Sequence, residues 1–569
     1  MRRPAAIVCA VLTAAGLTCV LGLAAASGVS EKATMNAREK AIHVLNRLGF
    51  GPRPGDVERV LAIGVSAYID RQLKPEEIAD DLTASNLKRF PTLEMTTAEL
   101  IDKFERPLRE AQRERKRELA SRDETKASGK GDRNDAADEA ERIRQMIPPE
   151  NRPRRVVEEL SQARILRAAE SERQLNEVLV DFWMNHFNVF AGKGLDRVFI
   201  TSFERDIVRP RIWGKFEDLL MATAKSPAML FYLDNAQSAA DPERRPPQPL
   251  RIERILGSGL RPMSAPGARQ PGNGGAAGLN ENYARELMEL HTLGVDGGYI
   301  QGDVTDLARL LTGWSIVRPE QGTGFVFRAR LHDIGAKTVL GHAFPAGGGI
   351  EEGERMIHVL ALHPSTARRI ALKLCQRFVA DEPPKELVDR VARKFLSTGG
   401  DLRETVRAVV TSPEFFDPRY YRAKIKSPFE YVVSAVRAVG AVPDNALPIA
   451  RQLAQLGEPL YLCQPPTGYS DAAQAWVNTG ALVARLNFAL QLAANKLPGT
   501  WTDVEGLIEP GSAADAKKAA EALSCALVDG ELSSETRRTL EQRIGEGNPR
   551  PAIPLIAGLI LGSPEFQRQ

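Results

Sequence analysis

The sequence predicts a mainly α-helical protein, a large multi-helix body with one small β-hairpin. First, apolar residues from Leu175 to His186 recur at the i, i+3, i+4, i+7 spacing that lines one face of a helix. Second, apolar runs repeatedly end at a serine followed by a proline, which is typical of one helix stopping and another starting. Third, only the stretch near residues 324–341 has the composition of paired β-strands.

The chain of 569 residues has room for several domain-sized units and an ample core. Its formal net charge is +3, and loss of Arg2 and Arg3 with a signal peptide would lower that charge to +1. A nearly neutral protein gives no electrostatic argument for nucleic acid as a partner, and it would meet a membrane only through an uncleaved signal segment.

Residues 1–26 have the order of a secretory signal peptide. Arg2 and Arg3 supply the positive start, residues 4–26 are apolar and uncharged, and residues 24–27 offer an A-x-A-like cleavage site. The alternative is an uncleaved membrane anchor, because the apolar run approaches the length that spans a bilayer. We expect cleavage and an extracytoplasmic location, periplasmic or secreted.

The rest of the chain divides into consecutive segments by composition and periodicity. A mixture of both charge signs with few apolar residues marks an insert, and Gly and Pro without periodicity mark a linker. The predicted segments are 27–104, an N-terminal helical segment; 105–154, the charged and partly disordered insert; 155–235, a helical core; 236–279, the flexible linker; 280–440, helical core with the hairpin; and 441–569, a C-terminal helical bundle.

Three Ser-Pro dipeptides follow apolar helical runs, at Ser226, Ser412 and Ser563. A serine in this position can cap the next turn, whose first position suits proline. The pattern therefore predicts helices that stop and restart, and an internal duplication is the alternative.

The predicted hairpin pairs residues 324–328 with 337–340 and carries His332 and Asp333 at its tip. Loops held by a scaffold often carry function, although Asp-x-Gly also forms a turn by itself. Lys337 is placed to bind an anion or to pair with Asp333.

Residues 280–294 predict a helix with an unusual density of ionisable groups. At 100° per residue, its apolar side chains share one face with His291, and its polar side chains share the other. Glu286 and Glu289 on the polar face suit an acid–base pair or oxygen ligands for a divalent metal, with Asn282 and Arg285 as ligand-binding neighbours. A solvated face with an i,i+4 ladder of charges is the alternative.

A second cluster of polar groups lies at the end of the helix that contains Trp183, Asn185 and His186. A single histidine on an apolar face is usually a core residue, but this composition also suits a sugar-like ligand or one metal ligand. Facing helices that bring His186 and His291 into one interior would resemble the metal sites of helical bundles. The spacing lacks E-x-x-H and H-E-x-x-H, so the cofactor stays unknown, with a divalent metal as the candidate.

The chain resembles a large bacterial exported family catalogued as domain of unknown function 1800. The resemblance rests on N-E-N-Y-A-R-E-L-M-E-L-H-T-L-G at 280–294, on L-T-G-W at 311–314, on His332-Asp333 with Lys337, and on N-R-L-G-F-G at 46–51. It implies an exported, mostly helical protein whose gene often neighbours that of an exported sulfatase-like protein, the expected partner. It carries over no activity and no catalytic residue. One departure is Tyr469 after Gly468, where the family pattern has tryptophan.

Two function classes remain open from the sequence. The first is an extracytoplasmic hydrolase that acts on a polar or carbohydrate-like substrate through Glu286 or Glu289, with His332 and Asp333 completing the site. The second is a non-catalytic binding or assembly protein that partners the sulfatase-like protein. Convergence of these side chains on one pocket would favour the enzyme, and scatter of the side chains would favour the binding protein.

We predict that the exported protein begins at Ser27, because the small residues before it suit signal peptidase. Intact mass spectrometry of protein recovered outside the cytoplasm measures this directly. Full-length protein in the membrane fraction would contradict cleavage and indicate an anchor.

Overall fold

The computed structural model describes residues 34–123, 133–246, 278–317, 324–544 and 553–569. The mainly α-helical class predicted from the sequence is confirmed, with three small two-stranded sheets beside the helices of these residues. The predicted signal peptide lies outside the described residues, as do 247–277 of the predicted linker. No helix in the described ranges is both long and apolar enough to span a membrane.

The described residues form two compact units, each built from separate segments of the chain. The first unit takes in the described residues of Met1–Met95, Pro148–Asn188 and Ile370–Gln569, and the second those of Thr96–Ile147 and Val189–Arg369.

The α-helices of the first unit come from all three of its segments. In chain order they are Ala37–Arg47, Asp56–Ile63, Val65–Gln72, Asp81–Leu87, Arg154–Glu170, Gln174–His186, Lys385–Ser397, Leu402–Val410, Pro428–Ala438, Leu447–Gln455, Thr479–Ala493, Pro510–Ala513, Ala516–Val528, Ser534–Ile544 and Ile553–Leu561. One short sheet, β5 (Val442–Pro443) with β6 (Thr500–Trp501), accompanies them. The helix Pro364–Phe378 contains the point where the chain passes from the second unit to the first.

In its described residues the second unit contains α-helices of 4 to 18 residues and three π-helical turns. The α-helices are Thr97–Leu100, Arg106–Asp123, Arg133–Gln145, Asp196–Ser202, Phe216–Ala224, Pro227–Tyr232, Glu281–Glu286, Gln301–Leu310 and Ile350–Ala361. The π-helical turns are Ile101–Glu105, Phe203–Val208 and Leu287–Thr292. Isolated π-helical turns within helices are rare and often mark functional sites.

The predicted pairing of residues 324–328 with 337–340 is wrong. The structure instead forms two hairpins, in which β1 (Trp314–Ile316) pairs with β2 (Phe325–Phe327) and β3 (Lys337–Val339) pairs with β4 (His342–Phe344). Strands of three residues carry little register information, so alternation alone does not decide which neighbour pairs with which. The connection between the two hairpins contains His332 and Asp333.

The charged insert is helical where the structure describes it. Arg106–Asp123 and Arg133–Gln145 form helices, and Arg115 Nε lies 2.8 Å from Glu139 Oε1 between them. Residues 124–132, the centre of the segment predicted to be disordered, lie outside the described residues.

The three Ser-Pro caps are confirmed. Ser226 Oγ accepts the Met229 N–H at 3.1 Å, and Ser412 Oγ accepts the Phe415 N–H at 3.1 Å. Ser563 Oγ accepts the Phe566 N–H at 3.3 Å. Each serine thus satisfies a backbone donor that has no partner within its own turn.

The helix Pro428–Ala438 is buried along its whole length and carries the residue that ties the first unit together. Arg437, which is 2% exposed, donates from Nε to the Gly51 carbonyl and from Nη1 to the Ala169 carbonyl, both at 2.7 Å. Its Nη2 lies 3.2 Å from Asp56 Oδ2. This Arg437 clamp therefore joins all three chain segments of the unit.

We predict that Arg437→Met lowers the free energy of unfolding by about 3–5 kcal/mol, because it leaves a buried carboxylate and two carbonyls without this partner. Urea unfolding of the full chain measures the change. Arg451→Met on an exposed helix surface is the control and should leave the stability almost unaltered. Equal stability of the two variants would contradict the structural role of the clamp.

Candidate functional site

The helix predicted at 280–294 is present, and its start is fixed by Asn280. The Asn280 side chain accepts the Tyr283 N–H at 3.2 Å and donates to the Leu233 carbonyl at 2.7 Å. The α-helix Glu281–Glu286 continues directly into the π-helical turn Leu287–Thr292, and together they are called the signature helix below.

The π-helical turn alters the side-chain positions that a regular helix predicts. A π turn holds one more residue than an α turn, so backbone groups near it lose their usual partners. The Thr292 hydroxyl compensates by donating to the Leu287 carbonyl at 2.7 Å. His291 still lies on the buried face, as predicted, and is 2% exposed.

The polar face of the signature helix is half-buried rather than fully solvated. Glu281 accepts hydrogen bonds from Gln301 and Thr305 at 2.8 and 2.9 Å, and Arg285 donates to Gln301 at 2.7 Å. Asn282 is exposed. Within the described residues no ion pair joins Glu281, Arg285 and Glu289, so the i,i+4 ladder is not formed.

Glu286 and Glu289, the carboxylate pair, lie close enough on the helix for Glu289 to affect the pKa of Glu286. Burial raises the pKa of Glu286, the nearby Glu289 raises it further, and Arg285 opposes both effects. A carboxyl group with a raised pKa beside a second carboxylate is the arrangement by which enzymes hold one acid protonated and one ionised.

Two residues outside the predicted set approach Glu289. The Tyr299 hydroxyl donates to Glu289 Oε2 at 3.3 Å. Burial lowers the pKa of Arg369, and the neighbouring Glu289 opposes that shift. The absence of a side chain at Gly294 leaves room for Arg369 in this position. A Cβ on that glycine would lie only 3.2 Å from the Arg369 Nη1 atom. Glu289 therefore has a hydroxyl donor and a cationic side chain as neighbours.

His332 belongs to a different and more deeply buried set of contacts in the same unit. Its Nδ1 lies 2.9 Å from the Thr312 carbonyl oxygen, and its Nε2 lies 3.3 Å from Glu352 Oε2. Lys337 Nζ donates to the same Glu352 oxygen at 2.6 Å. His332, Lys337 and Glu352 are each at most 5% exposed.

Asp333 is bound by Arg309, whose Nε and Nη2 donate to its two carboxylate oxygens at 2.9 and 3.1 Å. Burial alone would raise the pKa of Asp333, but the hydrogen bonds from Arg309 and from the Gly335 N–H outweigh it and lower the pKa. Asp333 is therefore held as a carboxylate, with its charge balanced by Arg309. Lys337, which the sequence offered as its partner, contacts Glu352 instead.

The residues predicted around His186 lie in the first unit. The Asn185 side chain donates to the Tyr469 carbonyl at 2.9 Å and accepts the Tyr469 N–H at 2.7 Å. Asn188 Nδ2 donates to the carbonyls of Cys463 and Pro465 at 2.9 and 2.8 Å. The two asparagines thus bind the backbone of the loop 463–469, which includes the departure from the family pattern.

Trp183 and His186 are both buried, at 1% and 3% exposure, among aromatic rings. The His186 ring centroid lies 5.3 Å from that of Trp183 and 4.5 Å from that of Phe187, in edge-to-face geometry. These contacts are those of a core histidine.

The predicted residues therefore fall into three sets of contacts, not the one cluster that would favour an enzyme, so an enzymatic role has to rest on one set alone. Glu286 and Glu289 form one with Tyr299 and Arg369; the second consists of His332, Asp333 and Lys337 with their buried partners; and the third lies in the first unit around His186. In the ranges that the structure describes, no group of three or more His, Cys, Asp or Glu side chains is placed to hold a metal ion.

Sequence reasoning missed Tyr299, Arg369, Glu352 and Arg309. Tyr299 follows Glu289 by ten residues in a Gly-rich turn, and an aromatic hydroxyl beside an acidic helix was a usable signal. Arg369 and Glu352 are separated from their partners by long stretches of chain, and no local pattern marks them.

A family model described as protein of unknown function, DUF1800, matches residues 43–568. No curated protein and no solved structure matches the chain at a significant level. The match covers nearly the whole chain and includes the signature helix, the two hairpins and the loop 463–469. The chain therefore belongs to the DUF1800 family.

Proposed function

We propose that the protein is an extracytoplasmic hydrolase of polar, carbohydrate-like substrates and that the carboxylate pair is its acid–base machinery. The observation that carries the proposal is the raised pKa of Glu286, caused by burial and by Glu289 on the same helix. A raised pKa keeps a carboxyl group protonated at a pH where an ordinary carboxyl is ionised, which is the requirement for a general acid.

The two carboxyl groups take different roles because their surroundings differ. Glu286 donates its proton to the oxygen of the departing group. Glu289, which accepts a hydrogen bond from Tyr299 and lies near Arg369, acts as the carboxylate that activates water or stabilises developing positive charge. Both side chains are half-buried, so a substrate reaches them without unfolding of the helix.

The π-helical turn supports this assignment. It begins at Leu287, directly after Glu286, so Glu289 lies within the turn whose geometry departs from a regular helix. Such turns cost backbone hydrogen bonds and are found mostly where function requires a special side-chain position.

His332 and Asp333 are assigned a supporting role in this proposal. Both are almost fully buried and are bound by Glu352 and Arg309, respectively. They stabilise the connection between the two hairpins rather than meeting the substrate. The proposal also includes export of the protein and an interaction with an exported sulfatase-like protein, both of which are expected from the family resemblance.

We predict that Glu286→Gln and Glu289→Gln each lower kcat/KM by about 10²- to 10⁴-fold, the usual contribution of a general acid or base. The assay is release of nitrophenol from 4-nitrophenyl glycosides between pH 4 and pH 8. Glu281→Gln is the matched control on the same helix, and it should keep activity within a few-fold of the unmodified protein. Full activity in either pair variant would contradict the proposal. Absence of hydrolysis by the unmodified protein would also contradict it and would favour the binding or assembly alternative.

We also predict that Glu286→Gln stabilises the folded protein at neutral pH and not below about pH 4. The pKa of Glu286 is raised in the folded state, so the unfolded chain loses this proton first as pH rises, and folding is penalised above the unfolded pKa. The measurement is the difference in Tm between variant and unmodified protein across pH 3.5–7.5. A difference that is constant with pH would show that Glu286 titrates as an ordinary carboxyl.

A further inference from the structure

The first unit contains a cavity of about 290 Å³ whose walls include a serine and a lysine in direct contact. Lys426 Nζ lies 2.8 Å from Ser434 Oγ, a hydrogen-bond distance at which a neutral amine can accept the hydroxyl proton, and both residues line the cavity. Ser434 lies on the buried helix Pro428–Ala438, and Lys426 lies just before the start of that helix. The carboxylate pair, the candidate site of the proposed function, lies in the second unit and is separate from this cavity.

We propose that Ser434 and Lys426 form a second catalytic site, a serine nucleophile with a lysine base, that hydrolyses esters or amides of anionic acyl compounds. Serine–lysine pairs replace the serine–histidine pair in several unrelated hydrolases, because a neutral amine removes the hydroxyl proton as imidazole does. Such a pair requires hydrogen-bond contact between the amine and the hydroxyl, a neutral amine, and space beside the hydroxyl for an acyl group.

The environment of Lys426 favours a neutral amine. Its side chain is almost fully buried, and no carboxylate in the described residues lies within ion-pair distance of Nζ. Burial is the main cause that lowers its pKa to about 7; Arg422 and Arg485 contribute to this lowering, and Glu430 opposes it. Nζ also donates to the Phe566 carbonyl at 2.8 Å and lies 4.3 Å from the centre of the Phe566 ring, which fixes its position.

The backbone beside Ser434 leaves room for its hydroxyl group. Gly51 has a φ of +91°, and a Cβ at this position would lie 2.7 Å from Ser434 Oγ. Asn46, which also lines the cavity, flanks the same glycine. The Gly51 carbonyl is the group bound by Arg437, so the Arg437 clamp sets the distance between Gly51 and the serine.

The charge of the cavity indicates the substrate class. Besides the neutral Lys426, four arginines and three carboxylates line it; the arginines are Arg38, Arg53, Arg422 and Arg568, and the carboxylates are Glu58, Asp529 and Glu565. Arg38 pairs with Glu58 and Asp529, Arg53 pairs with Glu172, and Arg422 pairs with Glu531. Among the described residues Arg568 has no ion-pair partner, and its charge suits an acyl group that carries a carboxylate or a phosphate.

The reaction balances with water as the only co-substrate. Ser434 Oγ attacks the carbonyl carbon and its proton passes to Lys426 Nζ. The bond to the alcohol or amine breaks, and the leaving group takes the proton from Lys426. Water then attacks the acyl-serine ester while Lys426 accepts a water proton, and Ser434 regains a proton when the free acid departs.

The test is labelling of the full chain by a fluorophosphonate probe, with the labelled residue located by peptide mass spectrometry. We expect label on Ser434 and none after Ser434→Ala. Ser524→Ala is the matched control, because Ser524 is also buried but has no lysine partner in the described structure, and labelling should persist in it. Glu286→Gln should also keep the label, which separates this site from the carboxylate pair.

The pH dependence of labelling is measured on the unmodified protein, so it tests the proposal even where a variant fails to fold. Labelling by a neutral lysine base should rise about tenfold between pH 6 and pH 8 and then level off, following the pKa of about 7. Mono(4-nitrophenyl) glutarate carries a free carboxylate, and 4-nitrophenyl pentanoate has the same chain length without one. We expect the glutarate to be hydrolysed at least about tenfold faster, because a tenfold factor requires only about 1.4 kcal/mol of attraction between its carboxylate and the cavity. Absence of label on Ser434, or labelling that rises without a plateau, would overturn the proposal.

Discussion

The first unit depends on one buried guanidinium group. Arg437 binds the carbonyls of Gly51 and Ala169 and the carboxylate of Asp56, so one side chain satisfies acceptors from two other chain segments. Burial lowers its pKa to about 10, which still leaves it protonated at neutral pH. The same contact places Gly51 against Ser434, so the constraint that holds the unit together also shapes one wall of the cavity lined by Ser434 and Lys426.

In the second unit the candidate catalytic side chains lie on a helix that is partly open to solvent. Its signature helix is anchored at Asn280, changes to π geometry after Glu286 and keeps its carboxylate pair half-exposed. Deeper in the unit, Lys337 with Glu352 and Arg309 with Asp333 form charge pairs that are nearly closed to solvent. Buried charges are tolerated when they are paired, and each of these four side chains has a partner of opposite charge, so the pairs serve the fold. Among the residues that the structure describes, Glu286 has no such partner, and it has a raised pKa.

The sequence was sufficient to predict those features that depend only on residues close together in the chain. The capping serines at 226, 412 and 563 and the apolar face around His291 depend on neighbours within a turn or two, and both predictions are confirmed. The hairpin pairing failed because either neighbour offers a three-residue partner. The burial of Asp333 by Arg309 and the contact between Ser434 and Lys426 depend on tertiary packing, and a helical wheel at 100° per residue cannot anticipate a π turn.

The proposed hydrolase depends on Glu286 acting as a protonated acid beside Glu289. The most direct measurement is kcat/KM against pH for whichever glycoside the unmodified protein hydrolyses. We expect a bell-shaped profile, whose falling limb lies above the ordinary carboxyl pKa and coincides with the pH at which Glu286 loses its proton. A profile that only rises and then levels near pH 7 would contradict the role of Glu286 as the general acid.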